Sequence, residues 1–145
     1  YKDAVSAIEW LRIKGVIEKS IILYGESLGT GVAVEVAQNK NYAGIILESP
    51  FTSMVNVGQK YYPFFPVRFL LQDKYESYKK INNISAPMLI IHGKLDKIVP
   101  YEMGKKMYEL SNEPKFFYSQ EYGDHMVDYD EKLLLALKKF IQSLN

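Results

Sequence analysis

Ser27, Asp96 and His125 are the residues whose types and spacing can carry covalent chemistry. Ser27 stands in Gly25-Glu26-Ser27-Leu28-Gly29, with a glycine two residues away on either side. In a Gly-x-Ser-x-Gly pattern the serine rides a sharp turn from strand to helix, and its hydroxyl is raised above the sheet. The neighbouring residues supply that context. Ile21-Ile22-Leu23-Tyr24 is an apolar run before the turn, and residues 31–37 read as a helix after it. A helix opening directly after Ser27 aims its first amides at negative charge on a bound carbonyl oxygen, which makes the Leu28 amide one oxyanion donor. A glycine-rich strand–helix junction with a capping serine has the same local pattern. So does a phosphate-binding turn, but no Gly-Lys-Ser/Thr element follows here.

A serine hydroxyl is a weak nucleophile and needs a base, which in turn needs an orienting acid. The chain holds two histidines. His125, in Tyr122-Gly123-Asp124-His125-Met126, falls between a predicted strand and the last predicted helix, on a loop that can lower an imidazole onto the serine. The competing reading is a surface-loop histidine. His92 abuts the end of another apolar run and precedes Gly93, so it is read as structural. Asp96, in His92-Gly93-Lys94-Leu95-Asp96, lies beyond the same run and is the expected acid; its alternative is a turn residue or a cap for a helix starting near Pro100. Asp124, Asp128 and Asp130 are weaker candidates for the acid, one adjoining the histidine and two flanking or entering the last helix. His92, Asp96, Asp124 and His125 lack a recognisable metal-ligand spacing. No metal and no cofactor is expected.

These residues must be positioned by something. Residues 4–14 place Ala4, Ala7, Ile8 and Leu11 on one helical face, with Asp3 as the expected cap and Gly15 closing the turn. Four short apolar runs follow, at 20–24, 43–47, 88–91 and 115–118. The first is expected to be a strand covered on both faces. Helices are predicted at 31–37, 101–110 and 129–144, the last with Leu133, Leu134, Leu137, Phe140, Ile141 and Leu144 aligned. Strand and helix alternating at this spacing predict an α/β fold with a mostly parallel sheet and flanking helices. In such sheets ligands bind beyond the carboxyl ends of the strands, where Ser27, Asp96 and His125 all fall. Between 55 and 84 the pattern is interrupted by prolines and rich in aromatics. It is read as a short lid-like excursion at about 58–80, lining an acyl or leaving-group pocket or packing as a lid base.

Length and composition narrow the function classes. At 145 residues, 48% hydrophobic and 24% charged, the chain reads as one globular domain. A formal charge of +1 without long blocks of either sign gives no sign of a nucleic-acid partner. The absence of cysteine excludes disulfide and thiolate chemistry and fits a reducing, cytoplasmic compartment. No apolar run is long enough to span a bilayer, and residues 1–4 do not begin a signal peptide.

Taken jointly, Tyr24-Gly25-Glu26-Ser27-Leu28-Gly29-Thr30-Gly31, Glu48-Ser49-Pro50-Phe51, residues 87–100 from Pro87 through His92-Gly93-Lys94-Leu95-Asp96 to Pro100, and Gly123-Asp124-His125 resemble the α/β-hydrolase family, in its serine-aminopeptidase-like branch. The resemblance implies the C-terminal catalytic portion of such a domain, spanning 1–145. It further implies that Ser27 attacks a carbonyl, His125 removes and returns the proton, and Asp96 holds the useful tautomer of His125. An ester or thioester of a small-molecule acyl substrate would then be cleaved through an acyl-enzyme. A peptidase or amidase using the same residues, and a catalytically impaired interaction module with a hydrolase skeleton, remain as alternatives.

Two departures matter. Glu26 occupies a position that is often basic, aromatic or glutamine in the family. The several strands that usually precede the serine turn are absent from these residues, along with the early His-Gly loop that supplies a second oxyanion amide. The strand before Ser27 is therefore expected to expose an apolar edge. Either a second copy of the chain or an N-terminal segment is expected to cover it.

Overall fold

The computed structural model describes residues 1–144. Four parallel strands form one sheet in the order β1-β2-β3-β4: β1 Ile22–Glu26, β2 Gly44–Glu48, β3 Met88–Gly93 and β4 Lys115–Gln120. Six α-helices accompany them: α1 Lys2–Ile13, α2 Leu28–Ala37, α3 Met54–Tyr61, α4 Val67–Leu70, α5 Tyr101–Leu110 and α6 Glu131–Gln142. Short 3₁₀ turns occupy Glu18–Ser20, Ser77–Lys79 and Ile81–Asn83. The expected parallel sheet with flanking helices is thus present, and every strand pairing is parallel.

The central strands are apolar throughout because both of their faces are covered. Side chains alternate across a strand, so Ile45, Leu47, Met88 and Ile90 face Ala33, Val34 and Ala37 of α2 and Met107 of α5. Ile46, Leu89 and Ile91 face Leu133 and Phe140 of α6 on the other side. Two cores result, one in each layer. Burying each Leu, Ile or Phe side chain contributes roughly 1.5–3 kcal/mol, and that holds the strand ends in fixed register.

β1 departs from the sequence expectation. It was expected to be covered on both faces, yet Ile22 is 37% and Tyr24 45% exposed, while Leu23 packs into the α2 layer. The reason is position: β1 is one of the two edge strands, and the α6 core reaches β2 and β3 but not β1. An apolar run records that a strand lies in a sheet, but it does not record which neighbours the sheet supplies. β1 also starts later than expected, because Glu18–Ser20 winds into a 3₁₀ turn, and it runs on through Gly25 to Glu26.

Helix ends differ in instructive ways. α1 starts at Lys2, with Tyr1 at the cap and no side-chain capping bond; Asp3 lies inside the first turn, where its charge complements the helix dipole. α2 begins at Leu28, three residues before the predicted start. α6 begins at Glu131, where Asp130 caps it by accepting from the Leu133 amide at 2.8 Å.

The proline-broken stretch forms α3 and α4, separated by residues 62–66. Ser53 caps α3 by accepting from the Asn56 amide at 3.0 Å. The two helices border an open groove of about 460 Å³, lined by apolar and aromatic residues that include Val57, Tyr61, Phe65, Val67 and Leu70. Beside it, Phe64 and Phe69 are almost fully exposed.

Candidate active site at the carboxyl ends of the strands

Ser27 lies between β1 and α2 with φ 48° and ψ −116°, a left-handed backbone unusual for a side-chain-bearing residue. The turn is held from both sides: the Ser27 amide donates to the Glu48 carbonyl at 2.9 Å, and the Thr30 hydroxyl donates to the Ser27 carbonyl at 2.6 Å. The close crossing of strand and helix needs glycine at one position only. A Cβ on Gly25 would lie 2.6 Å from the Gly29 carbonyl oxygen, whereas a Cβ on Gly29 would meet nothing within 4 Å. Of the two glycines that flank the serine, Gly25 alone is sterically required. Glu26, beside the serine, is exposed. Leu28 is the first residue of α2, so its amide has no intrahelical acceptor.

The His125 loop reaches Ser27 by pressing against the end of β3. A Cβ on Gly93 would come within 2.3 Å of the Asp124 carbonyl oxygen, so the loop's approach depends on glycine there. The Leu95 amide donates to the Gly123 carbonyl, and the Gln120 side chain bonds both backbone groups of Asp128. Asp124 is not aimed at the imidazole. Its carboxylate accepts from the amides of His125 and Lys97, shaping the turn.

This scaffold brings the three singled-out side chains into one chain of contacts. His125 Nε2 lies 2.8 Å from Ser27 Oγ, and His125 Nδ1 lies 2.8 Å from Asp96 Oδ2. With the Nδ1 proton on Asp96, Nε2 is free to accept the serine proton. Asp96 is also anchored through its other oxygen, which accepts from the amides of Ile98 and Val99 at 2.8 Å each. Asp130, in contrast, is committed to the α6 cap.

His92 was read as structural, and its packing is indeed tight. It is fully buried, and a Cβ on Gly104 would sit 2.2 Å from its Nδ1. It also does something the sequence reading missed. Its Nε2 lies 3.0 Å from the Val99 carbonyl and 3.2 Å from Asp96 Oδ2, so a proton there is shared between two acceptors. Nδ1 is buried without a partner. The signal was available in the spacing: His92 is the penultimate residue of β3, and Asp96 follows four residues later around a tight turn. Burial by itself would push the Asp96 carboxyl up. The donors from His92, His125, Val99 and Ile98 outweigh it and hold the group well below the usual carboxylate range.

Among the described residues, no group of three or more His, Asp or Glu side chains is arranged to hold a metal ion. No helix among them is long and apolar enough to cross a membrane.

A parallel sheet with a serine at a strand–helix turn, an aspartate after a later strand and a histidine after the next defines an α/β-hydrolase domain, here in part. Residues 1–125 match the prolyl oligopeptidase family, and the chain belongs to that family. It is 42% identical over 114 residues to an uncharacterised protein of Mycobacterium tuberculosis, covering 78% of this chain and 41% of that one. It is 33% identical over 131 residues to the lysophosphatidylserine lipase ABHD12 of Danio rerio, covering 78% and 34%. The chain thus spans well under half the length of these curated relatives. The fold is similar to that of the monoacylglycerol lipase of Paleococcus ferrophilus, with TM-score 0.71 and 18% identity over 99% of this chain and 74% of that one.

Proposed function

We propose that this chain carries the catalytic residues of a serine hydrolase that cleaves a carboxylic ester or thioester. The observation that carries the reading is the uninterrupted Ser27–His125–Asp96 hydrogen-bond chain, with both links at 2.8 Å. Ser27 Oγ attacks the carbonyl carbon while its proton passes to His125 Nε2. The imidazolium is held by Asp96, and the carbonyl oxygen takes up negative charge facing the Leu28 amide. Collapse of the tetrahedral adduct breaks the bond to the leaving group, which takes the proton from His125. Water, deprotonated by His125, then releases the acid from the acyl-serine.

An ester or thioester is favoured by the apolar groove between α3 and α4, which offers hydrocarbon contact but few groups for a peptide backbone; its Tyr61 reaches the Asp96 turn by donating to the Ile98 carbonyl at 3.0 Å. The family match supports a peptidase as the second reading. A second oxyanion donor and a cover for the β1 edge are supplied in this reading by an N-terminal segment or a second copy of the chain. Without that donor, turnover falls by roughly 10²–10³.

The test is labelling by an active-site fluorophosphonate. The wild-type protein is expected to label, and Ser27→Ala and His125→Ala are expected to abolish labelling while keeping the fold. Absence of wild-type labelling in folded protein would overturn the proposal. Parallel assays with acyl thioesters and peptide anilides separate the two readings.

A further inference from the structure

Glu48, the last residue of β2, and Ser49 directly after it are not used by the mechanism above. Glu48 is 1% and Ser49 0% exposed, and Ser49 has φ 49°, a strained backbone for a residue other than glycine. Three of their polar groups bond to segments that carry the site. The Glu48 carbonyl accepts from the Ser27 amide at 2.9 Å. The Ser49 hydroxyl donates to the His125 carbonyl at 2.9 Å. The Glu48 carboxylate accepts from the Tyr129 hydroxyl at 2.8 Å and also from the Tyr24 hydroxyl. Ser49 is itself pinned by its amide, which donates to the Ile91 carbonyl of β3 at 2.8 Å.

One dipeptide therefore touches the turn that carries the serine, the backbone of the histidine, and a tyrosine four residues beyond it. We propose that Glu48 and Ser49 are positioning residues that clamp the loop at 121–130 against the Ser27 turn and so set the Ser27–His125 separation. This rests on the serine-hydrolase reading for its catalytic consequence but not for its geometry. The His125 imidazole is mobile about two side-chain torsions. Fixing its ring requires its backbone to be fixed, which Ser49 does at the residue itself and Glu48 does downstream through Tyr129. Burial first, and then the bond to Glu48, push the Tyr24 phenol well up, so Tyr24 stays a donor at any ordinary pH. The left-handed backbone at Ser49 is what turns its hydroxyl toward the loop.

Ser49→Gly separates positioning from structure, because glycine adopts φ 49° without strain while losing the hydroxyl. The expected result is a melting temperature close to wild type, the relieved backbone strain offsetting the lost hydrogen bond, with fluorophosphonate labelling slowed about 10–100-fold, as for a reacting group displaced by a fraction of an ångström. With a soluble ester, kcat is expected to fall and KM to stay. The downfield imidazole proton resonance of the His125–Asp96 bond is expected to broaden, and amide exchange at 121–130 to accelerate. Tyr129→Phe, which keeps the ring and the Tyr24 bond to Glu48, is expected to give a smaller change in the same direction.

Wild-type labelling rate, resonance and exchange in both variants would overturn the proposal. If the wild-type protein itself fails to label, the hydrolase reading falls. The resonance and exchange measurements then still decide the clamp on their own.

Discussion

Asp96 receives four donors on two oxygens, from two imidazoles and two amides, and its side chain is wholly buried. That arrangement makes the carboxylate both a tautomer-setting group and a pH-sensitive part of the fold. An unfolded aspartate titrates near about 3.9, and the folded value of Asp96 is depressed below it. The stabilisation it contributes is therefore complete above that unfolded value and is lost as pH falls toward the folded one. In Asp96→Asn the urea midpoint is expected below wild type at neutral pH, with the gap narrowing as pH drops below about 4. A gap that does not change with pH would contradict this account. Turnover in the same variant is expected to fall by roughly 10⁴, since an asparagine can stabilise the wrong imidazole tautomer. His92 lies against the same oxygen as His125, so the aspartate is oriented by both histidines.

The strand–helix junction makes a prediction at the scale of elements. Gly25→Ala forces a Cβ to within 2.6 Å of the Gly29 carbonyl, so β1 and α2 must part. A loss of about 1–3 kcal/mol in denaturant unfolding is expected, with slower labelling. Gly29→Ala enters open space inside a helix and is expected to be neutral or to stabilise by up to about 1 kcal/mol. Equal losses in both would sink the claim that only one glycine is sterically required. The same contrast shows what could be read from the residues alone. Four apolar runs, the glycine spacing about Ser27 and the placement of Asp96 and His125 after successive strands were legible, because each is a local signature. The clamp at Glu48 and Ser49 was not, because Ser49 meets a carbonyl 76 residues away and a lone serine advertises no such partner. His92 lay between these cases: its spacing to Asp96 was visible, while the shared proton on Nε2 depended on how the turn closed.

At the scale of the whole molecule, the sheet is asymmetric. β2 and β3 are enclosed in both layers, whereas β1 presents an unpaired edge and the exposed side chains of Ile22 and Tyr24. Such an edge is a template for pairing with another strand. A polypeptide of these 145 residues alone is expected to self-associate, with a light-scattering mass that rises with concentration, and Ile22→Lys is expected to reduce the association. A concentration-independent monomer would show that the edge needs no cover. The spatial order of the strands has a further consequence, since it repeats their order in the chain. On a ribosome releasing about 5–20 residues per second, each of these four strands can dock beside the one made just before it, so this part of the sheet can assemble in step with translation. The longest wait falls between β2 and β3, while α3 and α4 emerge. Ser27 and His125 are 98 residues apart, so a nascent chain carries Ser27 through that whole interval of synthesis before the imidazole that contacts its hydroxyl exists.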